Sequence, residues 1–192
     1  MTDKTPDQSQ KRRDQPQKPI VSSSHLVSEK AVELNEVEYR LIVASFAFGM
    51  WMVKAMSAAL AEMEQNADLG VLDILCLHSV NHRGRAKKLA DICFKLNVED
   101  SHTVNYALKK LVKVGLVQSE KQGKEVFYGT TQKGQALCMA YRDVREACLI
   151  DEYTAFDDGS GKPNAASLSE VARHLRLLSG LYDRAARSAT SF

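Results

Sequence analysis

Residues 108–129 read LKKLVKVGLVQSEKQGKEVFYG. A helical pattern runs to Gly115 and passes, with no loop between, into the extended segment Leu116-Val117-Gln118-Ser119. The branched Leu116 resists a positive φ, so Gly115 is expected to take the helix-ending conformation. Two strands, LVQSE and EVFYGT, are then expected to pair across Lys121-Gln122-Gly123-Lys124. A hairpin joined directly to a helix is a wing.

Upstream, RAKKLADICFKL reads as a short helix with Leu89, Ile92, Cys93 and Leu96 on one side, and Lys87 and Lys88 fall at its start, where backbone N–H groups favour anions. Asn97-Val98 predicts a tight turn, after which Asp100 or Ser101 caps the helix that ends at Gly115. Two short helices across such a turn have the layout of a helix-turn-helix. On a wheel of about 100° per residue, Val104, Leu108 and Leu111 align, with Ala107 and Val112 beside them. His102, Tyr106, Lys109 and Lys113 project on the other side, flanked by Thr103, Asn105 and Lys110. A helix entering the major groove needs short polar side chains near its N-terminus for base edges and cations further along for phosphates. Ser101, His102, Thr103 and Asn105 match the first need, and Lys109, Lys110 and Lys113 the second. Any soluble helix also has a polar face, and Lys121 and Lys124 at the hairpin tip suit either a phosphate wall or an ordinary solvated turn.

Charge favours the polyanion reading. The whole 192-residue chain carries a formal +2, but residues 83–133 alone carry +6, leaving −4 for the rest. A basic block on an otherwise acidic support suits nucleic-acid binding.

The flanking segments set the organisation. Residues 1–30, with prolines at 6, 16 and 19 and the cluster Lys11-Arg12-Arg13, read as a disordered arm. A long apolar helix covers 31 to about 65. Its core, LIVASFAFGMWMVKAMSAAL, has the length of a membrane span, but Lys54 inside it costs roughly 2.5–3.5 kcal/mol to insert, so a helix buried on most sides by protein is expected. A second helix is expected to follow an Asp68 cap and run to Gly84. A fifth starts after Lys133-Gly134 and carries Leu137, Tyr141, Val144 and Cys148, before DDGSGKP breaks the chain. The last opens on Ser167-Leu168-Ser169-Glu170, a capping-box pattern, and its stripe of Leu168, Val171, Leu175, Leu178, Tyr182 and Ala185 asks for a partner helix.

This order of elements, with KKLADICFKLNVEDSHTVNYALKKLVKVGLVQSE followed by FYGTTQKG, resembles the MarR family of bacterial winged-helix regulators over roughly residues 31–190. The resemblance implies a mainly α fold with a small β-hairpin. It divides the chain into a first dimerisation and core helix at 31–66, a winged helix-turn-helix lobe at 67–132 and C-terminal dimerisation helices at 133–192. It also implies a homodimer bound to a palindromic double-stranded DNA operator in the cytoplasm, where the lack of a signal-peptide core at the N-terminus also points. Two features depart from the family. Its wing usually carries Asp-x-Arg where this chain has Lys121-Gln122-Gly123-Lys124-Glu125, and Tyr106 stands where many members have arginine.

The family further implies a small aromatic effector in a crevice between the two lobes. Phe46, Phe48, Trp51 and Met52, with His78 or His82 opposite, suit that role, and a plain core uses the same residues. Thiol oxidation at Cys76 or Cys93 is a competing switch. For Cys76, Cys93, Cys138 and Cys148, which form no CxxC pair, buried reduced thiols are the simplest reading. His78 and His82 are four apart, but two ligands do not make a metal site. No paired acid and base, nucleophile elbow or phosphate-binding glycine loop occurs, so an enzyme is not expected. A winged helix that binds only protein is the alternative of a different class.

Overall fold

The computed structural model describes Ser28, residues 30–155 and residues 163–191. Residues 1–27 and 29 of the arm expected at 1–30, and most of the DDGSGKP break, therefore lie outside the described residues. The chain divides into two units, Met1–Tyr141 and Arg142–Phe192.

The first unit begins with α1 (Val32–Glu62) and α2 (Val71–Asn81), then β1 (Lys87–Lys88), α3 (Leu89–Leu96), α4 (Ser101–Lys113), β2 (Val117–Gln122) and β3 (Glu125–Thr130), and α5 (Gln132–Arg145) starts within it. The strands form an antiparallel sheet in the order β1-β3-β2. In the hairpin Gln122 pairs with Glu125, and Gly123 takes φ +64° at the first of two turn positions. Glycine is favoured there because the turn twist that matches the strands needs a positive φ. Beside it, β1 pairs Lys87 with Tyr128 and Lys88 with Phe127. The sheet thus has a third strand beyond the expected hairpin, and it runs straight into α3, so that Lys88 is both its second residue and the N-cap of that helix.

The core sits between α2, α3, α4 and the base of the sheet. Ile74, Leu77, Ile92, Val104, Leu108, Leu111, Leu116 and Val117 are all buried. Each is a residue that the 3.6-residue period turned inward, or that follows Gly115 into β2. Gly115 takes φ +75° and Asn97 φ +53°, so both turns form as expected. Asp100 caps α4, its carboxylate accepting from the His102 N–H at 2.9 Å.

Three element starts differ from expectation. The N-cap of α2 is Gly70, not Asp68, because Asp73 reaches back to accept from the Gly70 N–H at 2.9 Å. Lys133 and Gly134 lie inside α5, because Thr131 supplies the cap: its hydroxyl accepts from the Gly134 N–H and donates to the carbonyls of Gly115 and Leu116. A β-carbon on Gly134 would run into the Leu116 carbonyl oxygen, so the missing side chain is what lets α5 lie against the end of α4. The last helix, α7 (Ala165–Ala189), starts at Asn164, whose side chain accepts from the Ser167 N–H.

Burial along α1 is uneven. Its C-terminal half buries Met52, Ala55, Met56, Ala59 and Leu60, whereas Ile42, Val43, Phe46, Phe48 and Met50 in its N-terminal half are exposed. Among the described residues, protein therefore does not cover most sides of this helix, contrary to the sequence reading. By length and composition alone α1 would be able to cross a membrane.

In the second unit, a π turn at Glu146–Ile150 leads into α6 (Asp151–Ala155), and the Tyr153 hydroxyl donates to the Pro163 carbonyl ahead of α7. The α7 stripe is open to solvent at Leu168, Val171 and Leu175.

Candidate nucleic-acid interface

Helix α4 separates its two faces cleanly. Val104, Ala107, Leu108 and Leu111 are buried, while Ser101, His102, Thr103, Tyr106, Lys109 and Lys113 are exposed. Tyr106, at 73% exposure, stands out from the middle of the helix. Asn105 is half-buried, and with Ser101 it lines a groove of about 660 Å3 between α3, α4 and the wing, opposite Lys88, Glu125 and Tyr128.

The seven lysines expected at the interface fall into two sets. Lys87, Lys88 and Lys110 are held by the protein itself. Lys87 Nζ donates to the carbonyls of Val80, His82 and Arg85 at 3.0, 2.7 and 3.0 Å, which closes the C-terminal end of α2. Orphan carbonyls at a helix end attract a cation in this way. Burial, followed by the nearby Lys95 and Arg85, pushes the Lys87 pKa down, with Asp91 pulling the other way. Lys88 pairs with Glu125 at 2.6 Å and lies 5.4 Å from the Phe127 ring centre. Lys110 pairs with Asp73 at 2.7 Å, and that hydrogen bond raises its pKa against the opposing effect of burial.

The second set is Lys109, Lys113, Lys121 and Lys124. All four are exposed, and none forms an ion pair among the described residues. Two extend along α4 and two lie at the hairpin tip. Uncompensated charge in that pattern, beside short polar groups at the start of α4, is suited to phosphates flanking a groove.

Two contacts that sequence reading missed hold α4 in place. Asp73 is buried, and its Oδ2 accepts from both Gly70 N and Lys110 Nζ, tying the start of α2 to the middle of α4. At the other end, Lys133 Nζ donates to the Val114 carbonyl at 3.1 Å and Thr131 holds the carbonyls of Gly115 and Leu116. The TTQKG motif is thus a clamp on the end of α4. Its signal was present in the Thr-x-Lys-Gly spacing, whereas nothing local pairs Lys110 with a carboxylate 37 residues away.

The residues considered for an effector are dispersed. Phe46 is exposed, Trp51 and His78 are half-buried, and His82 lines a separate recess with Arg83, Arg85 and Lys95. His78 meets the Tyr141 ring edge-on at 4.8 Å, and burial lowers its pKa. His82 is the C-cap of α2, where the chain leaves helical geometry with ψ 122°. Burial pushes the Cys76 thiol up to about 12, with Asp73 and Cys93 adding to the effect, and burial raises Cys138 to about 11. Thiols so shifted are poor nucleophiles at neutral pH. Cys93 is half-buried, Cys148 is exposed, and all four cysteines are free.

Residues 69–134 match the family model for a winged helix DNA-binding domain. That segment spans α2 through the start of α5 and contains both lysine sets. The fold extends well beyond it. RV1404 from Mycobacterium tuberculosis superposes with a TM-score of 0.59 at 13% identity, covering 77% of this chain and 95% of that one. A MarR transcriptional regulator from Methanosarcina mazei Go1 gives 0.53 at 16% identity, covering 76% and 91%. Reduced AbfR bound to DNA gives 0.54 at 17% identity, covering 78% and 97%; AbfR is from Staphylococcus epidermidis. No curated protein matches the sequence. The chain therefore carries a winged-helix DNA-binding domain within a fold of the MarR type.

Proposed function

We propose that this chain is a MarR-family transcriptional regulator that binds double-stranded DNA as a homodimer, with α4 in the major groove and the β2–β3 hairpin against the adjoining backbone. The observation that carries the reading is the sorting of the lysines: those on the outer line of α4 and at the wing tip have no internal partner, while the rest are satisfied within the fold. Ser101, His102, Thr103, Asn105 and Tyr106 read base edges, and Lys109, Lys113, Lys121 and Lys124 contact phosphates. Lys87, Lys88 and Lys110 support the lobe from within.

The dimer is supported by the apolar residues left in solvent on α1 and α7, since exposed apolar surface on this scale marks an interface. A two-fold pair would set two α4 helices about 34–36 Å apart, matching successive major grooves and a palindromic site. A soluble, cytoplasmic, non-enzymatic role follows from the same reading, with α1 covered by a second copy rather than by lipid. A small aromatic acid as effector rests on Phe46, Trp51 and His78, and His82 is set apart from them. Loss of duplex affinity on adding benzoate or salicylate tests that part.

The function itself is tested by measuring affinity for random duplex and for genomic fragments selected on the protein, each at two salt concentrations. A regulator shows steep salt dependence and a preference for the selected fragments. A winged helix that serves only as a protein-binding module shows almost no duplex affinity at either salt concentration.

A further inference from the structure

We infer that a cationic recess on the far side of α3 is a binding site for a small phosphorylated aromatic molecule of the nucleotide type. The recess measures about 630 Å3 and is lined by His82, Arg83, Arg85, Lys87, Phe94 and Lys95, with Asp91 as its single carboxylate. That volume falls within the usual range of small-molecule sites, about 300–1,000 Å3.

Its position separates it from the DNA-reading surface. Leu89, Ala90 and Cys93 of α3 line the groove beside α4 and the wing, whereas Asp91, Phe94 and Lys95 line the recess. At about 100° per residue these two sets are centred roughly 150° apart around the helix. A duplex lying along the outer face of α4 would not reach the recess, so this inference stands apart from the proposed function.

The chemistry inside is one-sided. Arg83, Arg85 and Lys95 form no ion pair among the described residues. Lys87 is occupied by three carbonyls, and Asp91 accepts from the Lys88 backbone N–H at the start of α3. The cations are close enough to disturb one another: Lys95 first, then burial, Arg83, Lys87 and Arg85, lower the His82 pKa. Crowded like charges around a hollow are relieved by an anion, and two arginines supply the planar forks that suit a phosphate group.

Two further features define the ligand. Arg83 is held at φ 63° and ψ 17°, in the left-handed region, within the turn His82–Gly84. A non-glycine residue is uncommon there, and such strain gathers at binding sites. Phe94, at 89% exposure, is the most exposed large apolar side chain among the described residues and lines the recess. A bare ring beside phosphate-binding cations is a stacking platform for a flat base.

The test is calorimetric titration of the full chain with ADP, pyrophosphate and adenosine. ADP is expected to bind, adenosine far more weakly. Replacing both Arg85→Gln and Lys95→Gln should weaken ADP and pyrophosphate at least tenfold. Phe94→Ala should weaken ADP by about tenfold, the loss of one stacked base, and leave pyrophosphate within about twofold. Thermal melts check that each variant is folded, and duplex affinity should be unchanged in all of them. Absence of heat with ADP and pyrophosphate, or binding indifferent to these substitutions, overturns the inference. Equal weakening of ADP and pyrophosphate by Phe94→Ala overturns the aromatic part. Loss of duplex affinity in the Arg85, Lys95 variant without ADP binding overturns it in favour of a DNA contact.

Discussion

The lobe built from α2, α3, α4 and the sheet closes its own core, whereas α1 and α7 leave theirs open. In the lobe, every apolar residue on the inner line of α4 is buried and three lysines are satisfied by internal carbonyls or carboxylates. In the N-terminal half of α1, Phe46 is 76% exposed and Met50 65%, and Val171 on α7 is 52% exposed. The same kind of residue is thus inside in one region and in solvent in the other. Apolar stripes left uncovered among the described residues, beside a completed core, suit a missing neighbour, and the proposed neighbour is a second copy.

The most severe way to break this contrast is to charge the open stripe. Val171→Glu with Leu175→Glu should leave a folded monomer by light scattering and lower affinity for a palindromic site by 100-fold or more, since the second lobe no longer binds at high effective concentration. An unchanged dimer would mean that α7 is not part of the interface. Within the closed lobe, Gly134→Ala forces a β-carbon against the Leu116 carbonyl and should destabilise by about 1–3 kcal/mol in urea unfolding. Asp73→Asn keeps an acceptor for Gly70 but weakens the hold on Lys110, at a cost of about 1 kcal/mol. Its effect on duplex affinity should exceed that of Lys110→Met, because an unpaired Lys110 shifts while a removed one does not.

The smallest effect is one of pH. Burial holds the folded-state pKa of His78 below its usual value of about 6.5. The unfolded chain therefore takes up the proton first. The contribution of neutral His78 is complete above about pH 6.5 and is lost as pH falls from there toward the folded value. His78→Phe, which keeps a ring against Tyr141, should flatten the acid side of the stability curve. An unaltered slope would assign acid sensitivity to other groups.

Much of the lobe was legible because its signals are local. The period of α4, Gly115 at its end, Asn97 in the turn and Gly123 in the hairpin each constrain their own backbone. What was misread depends on partners distant in sequence or on competing caps. A two-residue strand has no periodicity, so Lys87-Lys88 read only as the helix start that Lys88 does cap, and their pairing with β3 went unseen. Asp68 and Ser167 are plausible caps, yet Gly70 and Asn164 take the positions, because Asp73 reaches back to the Gly70 N–H and the Asn164 side chain reaches the Ser167 N–H. Gly134 reads as a helix breaker until the Leu116 carbonyl packed against it is seen. The candidate site was legible as a lysine-bearing face but not as two sets, since orientation alone separates Lys109 from its neighbour Lys110.

That separation gives the most direct test of the account. Duplex affinity is measured across a range of salt for Lys109→Ala, Lys113→Ala, Lys121→Ala and Lys124→Ala, and for Lys87→Met, Lys88→Met and Lys110→Met. Each of the first four should reduce the slope of log K against log salt by about 0.9, the change expected for one lost phosphate contact, and the other three should leave the slope unchanged whatever they do to stability. Equal slope changes in both sets, or none in the first, would contradict the proposed DNA-binding face.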